Sequence, residues 1–344
     1  MPTTMLQPTR FPWYDYSRYS FSLGVAAGGR CFLSGQTASA YDPERRRMAV
    51  DGTMAEQART AYAKMAAVLD ADGKTLADVD RVVEYVTSDG LDRYDEARAV
   101  RLEAFGRHSP AVTTVPVRAL LRDGALIEIE ATAGPAGDLV FLPSIHPVDG
   151  AGEIIGAGDL LAQTNAVYDA AGRMLEALGL GLDKVVKTTD YITPLALPAY
   201  KETAGVRKGR LGPVFPASAG IIMPRLMHAG AMIQLDLVAT RETLVRIDPG
   251  WRRYERLTYS PAVRAGDLVF ISGQGAIDHE TGRTLHEGDV AGQAEIIYAN
   301  VLDLVAAAGG GAENLVQTIE YTTPAAQARY REVAGVRTRL LAQP

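Results

Sequence analysis

Residues 57–101 recur twice more in this chain, as 163–207 and 293–337, with the landmark residues at identical offsets and without a gap. From each leading Gln (Gln57, Gln163, Gln293) the matches are Tyr62, Tyr168 and Tyr298, then Gly73, Gly179 and Gly309, then Tyr85, Tyr191 and Tyr321. Tyr94, Tyr200 and Tyr330 follow, and Arg101, Arg207 and Arg337 close the window. Repeats of this length settle the architecture before any motif is read, because each copy must be one folded unit that packs on its neighbours. The spacing divides the chain into repeat 1 (1–135), repeat 2 (136–242) and repeat 3 (243–344).

Each repeat reads as ββ-α-β-α-ββ. In repeat 1, residues 58–69 place Ala61, Met65 and Val68 or Leu69 at helical spacing, with Gly73 where a C-terminal cap belongs. Residues 81–87 are a β-branched run suited to a strand, and 92–105 carry Tyr94, Ala97, Val100, Arg101 and Ala104 at helical spacing. Segments 111–120 and 125–133 are extended, with Ile127-Glu128-Ile129-Glu130 alternating as in a half-buried strand. Ahead of Gln57 the strands are 19–26 and 31–36. This order predicts an α+β layer: two helices on one face of a mainly antiparallel sheet, the other face left to bury against a neighbour.

The copies are unequal. Repeat 2 starts abruptly at Asp138-Leu139-Val140-Phe141, with little room for a first strand. Repeat 3 has a full front half, including Ser272-Gly273-Gln274, and lacks the last two strands.

Phe270-Ile271-Ser272-Gly273-Gln274, Gly288-Asp289-Val290-Ala291-Gly292-Gln293, the Tyr-x6-Arg pair, and Pro110-Ala111 leading to Ile127-Glu128-Ile129-Glu130-Ala131 resemble the Rid (YjgF) family, the reactive-intermediate deaminases. The resemblance spans about two and a half family domains and implies tandem chorismate-mutase-like α+β domains, arranged within one chain as a pseudo-trimer around packed sheets. It also implies clefts between neighbouring domains and cofactor-free hydrolysis of an enamine or imine. The family's Glu falls on Glu128, and its Ser-Gly falls on Ser34-Gly35 and Ser272-Gly273. Its aromatic residue falls on Tyr259 in repeat 3 and on Phe21 in repeat 1, and its small polar position on Thr114.

Its substrate-binding Arg falls on Val112 in repeat 1 and Ser218 in repeat 2, neither of which binds a carboxylate bidentately. Gln234 stands at the Glu position of repeat 2 and cannot act as a base; Pro143-Ser144-Ile145 replaces Ser-Gly-Gln there, so repeat 2 reads as a structural copy. If the clefts combine repeats, the best composite site pairs Tyr259, Ser272 and Gly273 with Thr114 and Glu128, the two catalytic candidates.

Other signals have plain readings. Cys31 lies in an apolar run as a buried thiol. The five histidines show no metal-ligand spacing. Gly309-Gly310-Gly311 is a helix cap and turn, and Arg45-Arg46-Arg47 a solvated turn. The repeated Tyr and Arg of the second helix read as packing and salt-bridge residues.

A net charge of -6 argues against a nucleic-acid partner. The first five residues do not read as a leader, and no apolar run reaches the ~20 residues of a spanning helix, so the expected setting is cytoplasmic. The expected partner is a small-molecule substrate, without metal or cofactor, and the unfinished third sheet leaves an edge through which copies could associate. The leading functional expectation is a Rid-like hydrolase acting on a small imine, enamine or related C–N compound, with Glu128 handling water. Two alternatives stay open: a non-catalytic small-molecule-binding protein, and a chorismatase-like hydrolase.

Overall fold

A computed structural model describes residues 3–135 and 137–341. Met1 and Pro2, on which the leader reading partly rests, and Ala136 at the first repeat boundary lie outside the described residues. The chain forms two compact units. Unit one holds repeat 1 together with the short segment 223–227, and unit two holds repeats 2 and 3.

Unit one runs β1 (Thr3–Met5), β2 (Gly24–Ala27), β3 (Arg30–Gln36), a small hairpin of β4 (Ala40–Asp42) and β5 (Arg47–Ala49), α1 (Met54–Asp70), β6 (Val79–Thr87), α2 (Tyr94–Phe105), β7 (Ala111–Val117) and β8 (Ile127–Ala133). Its sheet has the order β1-β2-β3-β8-β6-β7, antiparallel except for β6 beside β7. The expected ββ-α-β-α-ββ order is present, with an added edge strand and hairpin. The first strand starts at Gly24, not at residue 19. Residues 19–23 stay outside the ladder, and the Tyr19 ring instead packs on Phe21 and its hydroxyl accepts a hydrogen bond from Arg122.

Thr53 and Glu56 form a reciprocal capping box that starts α1, satisfying two backbone N–H groups that the helix leaves open. Alternation on the strands then sends Cys31, Leu33, Val82, Val86, Ile129 and Ala131 to the helix side, where they pack on α1 and α2. Glu84 shares that face, since it pairs in register with Thr114 and Ile129, whereas Tyr85 pairs with Glu128 on the opposite face.

In unit two, repeat 2 supplies β9 (Leu139–Phe141), α3 (Leu160–Ala177), β10 (Val185–Ile192), α4 (Thr203–Arg210), β11 (Ala217–Ile222) and β12 (Ile233–Thr240). These strands make a sheet in the order β11-β10-β12-β9. Repeat 3 supplies β13 (Leu244–Ile247), β14 (Ala262–Ala265), β15 (Leu268–Ile271), α5 (Val290–Ala307), α6 (Pro324–Gln327) and α7 (Arg331–Leu340), with the strands in a separate sheet. The sheet face of repeat 2 away from its helices is buried as the sequence leads one to expect: Val186, Ala217 and Val238 pack against Val263, Ala265 and Phe270 of repeat 3.

Repeat 3 lacks the closing strands among the described residues, and the consequence is visible in residues 315–323. Their counterparts β6 and β10 are each hydrogen-bonded on both sides, but 315–323 joins no ladder. Ile319 is 44% exposed where its counterpart Val83 is 1% exposed. Helix α5, 18 residues with a mean hydropathy of 1.2, is the helix among those described that is long and apolar enough to span a membrane, contrary to the expectation from run length alone. It occupies the place of the core helices α1 and α3 in the repeat and packs Ala294 and Tyr298 against Val333 and Val336 of α7.

Candidate active site

The repeated residues converge on a position that the sequence comparison passed over. Each repeat carries an acid on its central strand or strand segment: Glu84, Asp190 or Glu320. Glu84 is fully buried and accepts hydrogen bonds from Tyr62 (2.7 Å) and Tyr94 (2.5 Å), and it is salt-bridged to Arg101. Asp190 accepts from Tyr200 (2.9 Å) and Arg207 (2.9 Å), and Glu320 from Tyr298, Tyr330 and Arg337. The signal that could have found these acids was their constant offset from the leading Gln, hidden because Asp replaces Glu once. Paired cationic and hydroxyl donors offset the cost of burying a carboxylate, and these side chains supply them. The Tyr and Arg are structural, as their sequence pattern suggested.

The leading Gln is also structural. Gln57 donates to the Gly52 and Gly124 carbonyls (3.1 and 3.0 Å) and accepts from the Leu126 N–H (2.8 Å), clamping the start of α1 to the entry of β8. Gln163 does the same with Gly156, Gly230 and Met232.

Thr114 belongs to this helix-side layer. Its hydroxyl lies 2.6 Å from the Tyr94 hydroxyl, and its register partner is Glu84. That corrects the expected pairing of Thr114 with Glu128: the two residues face opposite sides of one sheet, because they sit in register with adjacent residues of β6. Thr114 therefore supports the acid network and lies on the sheet face opposite Glu128.

Glu128 is brought against Gly35. The pairing of β3 with β8 shifts register between Leu33 and Gln36, and a Cβ placed on Gly35 would sit 2.1 Å from the Glu128 carboxylate. Only glycine leaves room for that side chain. Among the described residues the Glu128 carboxylate has no hydrogen-bond or ion-pair partner. Burial pushes its pKa up to about 7, and the nearby Arg122 charge offsets this only in part. Ser34, the other half of the Ser-Gly pair, is committed elsewhere, since its hydroxyl donates to the Ser22 carbonyl at 2.6 Å.

Three residues that motif reasoning missed complete the surroundings. Arg122 donates to the Tyr19 hydroxyl at 3.2 Å, with its guanidinium 5.9 Å from the Tyr19 ring centre. Tyr14 feels the charges of Arg122 and Glu128 and is raised by burial to a pKa of about 12. Lys64, fully buried, donates to the carbonyls of Thr37 (2.8 Å) and Ser39 and holds its ammonium 4.9 Å from the Tyr14 ring centre. Burial brings the Lys64 pKa down to about 7. None of the three recurs in the other repeats, so the repeat pattern could not flag them.

The copy of this arrangement in unit two is different. The Ser272 hydroxyl donates to the Ser260 carbonyl (2.6 Å) and accepts from the Ser218 N–H (2.7 Å), while the Gly273 N–H donates to the Ser218 carbonyl (3.0 Å). Within unit two, Ser272 and Gly273 thus face the back half of repeat 2, where Gln234 is engaged with Ser144 at 3.2 Å. Tyr259 packs edge-on to Tyr254, ring centres 5.6 Å apart. In both copies the serine hydroxyl is used by the backbone. Cys31 is buried, with its thiol donating to Asp72 and pushed up to about pKa 12 chiefly by burial. No group of three or more potential metal ligands occurs among the described residues.

The chain is similar in sequence to known proteins. The family model for endoribonuclease L-PSP matches residues 15–134 and 253–344. A RutC family protein of Pyrococcus horikoshii is 34% identical over 113 residues, covering 33% of this chain and 85% of the relative. One from Pyrococcus abyssi is 33% identical, covering 33% of this chain and 84% of its own length. A solved YjgF/YER057c/UK114 family protein of Mycobacterium tuberculosis is 32% identical, covering 39% of this chain and 99% of that protein at a TM-score of 0.31. With two separate segments matched and the repeats between them sharing one pattern, the chain belongs to the endoribonuclease L-PSP family, the YjgF/Rid family of the sequence resemblance.

Proposed function

We propose that unit one carries a cofactor-free hydrolase site acting on a small imine, enamine or related C–N compound. The observation that carries this reading is Glu128: a carboxylate without a hydrogen-bond or ion-pair partner among the described residues, seated against Gly35, with its pKa raised to about 7 by burial. Hydrolysis of an imine requires a group that takes a proton from water as it attacks carbon and returns one to the departing nitrogen. A carboxyl group titrating near neutrality can do both. Repeat 2 supports the assignment by contrast, since Gln234 replaces the acid and is hydrogen-bonded to Ser144.

A binding function without chemistry is the second reading. It is favoured by Val112 and Ser218 standing where the family's Arg is expected; Ser218 is bonded within the sheet, its hydroxyl accepting from Thr188 at 2.9 Å. Cleavage of RNA is disfavoured by the net charge of -6, because nucleic-acid affinity rests on Lys and Arg against phosphates. The test is ammonia release from a panel of imines and enamines, with wild type beside Glu128→Gln. Release by wild type that falls ~100-fold or more in the variant supports the hydrolase; no release from any compound leaves the binding reading.

A further inference from the structure

We propose that His146 and His228, brought together in repeat 2, bind a late first-row divalent cation, with its remaining coordination positions taken by water or a small chelating molecule. The site is independent of the chemistry assigned to Glu128. Backbone hydrogen bonds fix both residues, which lie far apart in the chain. Ile145 and Leu235 exchange N–H···O bonds of 2.9 Å just before His146, whose carbonyl accepts from the Val148 N–H at 2.9 Å. His228 lies in the loop between β11 and β12, where its carbonyl accepts from the Ala231 N–H at 3.1 Å and Gln163 holds the Gly230 carbonyl at 3.0 Å.

The two imidazole rings have centres 4.7 Å apart and are tilted by 59°. Two imidazoles sharing one ion through metal–nitrogen bonds of about 2.0–2.1 Å, at ~90–110° about the metal, hold their ring centres roughly 4.5–5.3 Å apart. The observed separation lies inside that range. His279, by contrast, lies flat on Trp251 at 3.8 Å and 12°, the geometry of plain ring packing.

The nitrogens are also unspent. His146 Nδ1 is enclosed without a hydrogen-bond partner among the described residues, and no third His, Cys, Asp or Glu joins the pair there. In the tautomer protonated at Nε2, that atom presents a lone pair, and a neutral imidazole nitrogen is a common metal ligand. Repeat 2 has also lost the fixed charges of this region: His228 follows Pro216 by the 12 residues that separate Arg122 from Pro110, and Gln234 replaces Glu128. A permanent guanidinium repels a metal ion, whereas an imidazole ligates it. Two nitrogen donors without a carboxylate select late first-row cations over Mg2+ or Ca2+, and Cu2+ over Zn2+.

The full chain, stripped with a chelator, is titrated with CuCl2, ZnCl2 or MgCl2 by calorimetry, and the Cu2+ form is examined by electron paramagnetic resonance. Wild type should bind Cu2+ with hyperfine splitting from two imidazole nitrogens, Zn2+ at least ~10-fold more weakly, and Mg2+ not at all. His146→Gln and His228→Gln should each weaken Cu2+ by ~10–100-fold. His286→Gln, at a half-exposed histidine before α5, should bind as wild type. Splitting from fewer than two nitrogens overturns the site, as does unchanged Cu2+ affinity in either variant with an unchanged unfolding transition. Should a variant fail to fold, the nitrogen count in the wild-type spectrum decides.

Discussion

Replacing Glu84 with Gln is the sharpest test of how the repeats are held together, because the same network exists elsewhere in the chain with less burial. Glu84 is 0% exposed and receives two tyrosine hydroxyls and the Arg101 guanidinium. Gln preserves the shape and removes the charge. Whichever way its amide turns, an NH2 group meets a donor and Arg101 is left buried without its counter-charge. Removing one partner of a buried pair costs about 3–5 kcal/mol. In a unit of this size, that corresponds to a fall of roughly 10–20 °C in Tm.

Glu320 makes the same contacts, but its side chain is 21% exposed, beside a strand segment that no ladder covers. Water can replace the lost charge there, so Glu320→Gln should cost only about 1 kcal/mol. The chain has two tryptophans, Trp13 in unit one and Trp251 in unit two. Urea unfolding followed by fluorescence in a Trp251→Phe background reports the first unit, and in a Trp13→Phe background the second. A loss below about 1 kcal/mol for Glu84→Gln, or equal losses at both positions, would refute the argument that burial sets the strength of this network.

Gly35→Ala should displace the Glu128 carboxylate, since the new methyl would lie 2.1 Å from it; any ammonia-releasing activity should fall ~10-fold or more while repeat 3's Gly273→Ala leaves it unchanged. Gln57→Ala should destabilise unit one by about 2–5 kcal/mol in urea, because three backbone groups lose their partner. Gln293→Ala, which gives up a single 3.3 Å bond to the Leu285 carbonyl, should cost under about 1 kcal/mol. pH should act on unit one in two windows. Glu128 titrates higher in the fold than when unfolded, so its contribution is full below the unfolded value of 4.5 and is lost as pH rises through about 7. Lys64 titrates lower in the fold, so stability rises with pH from about 7 toward 10.5. Stability curves of Glu128→Gln and Lys64→Met should each lack their own window, and a Glu128→Gln curve parallel to wild type between pH 4.5 and 7 would remove the buried-acid reading.

Much of the fold was legible in the chain because a repeat at fixed spacing constrains all copies at once. Gly73, Gly179 and Gly309 all adopt positive φ (66°, 72° and 83°) just past a helix, the backbone requirement that keeps glycine at that offset. Alternation in Ile127-Glu128-Ile129-Glu130 marked a half-buried strand, and the fold puts Ile127 and Ile129 in the core with Glu128 on the opposite face.

The site was legible only where a motif marked it. Glu128 and Gly35 could be named from the sequence, and the fold places them in contact. Thr114 was misplaced because strand register, set by hydrogen bonds to β6, decides which side of the sheet each residue faces, and a shift of one residue reverses it. Tyr14, Lys64 and Arg122 are far apart in sequence and absent from the repeat pattern, so only the tertiary packing of the N-terminal segment, α1 and the β7–β8 loop assembles them. By itself the sequence determined the repeated α+β unit, since local periodicity and spacing are written in neighbouring residues. Tertiary structure decided the partners of each acid: buried and paired at Glu84, and at Glu128 near-neutral in pKa with no partner among the described residues. That difference arises from burial and from which charges lie nearby, both properties of the folded chain.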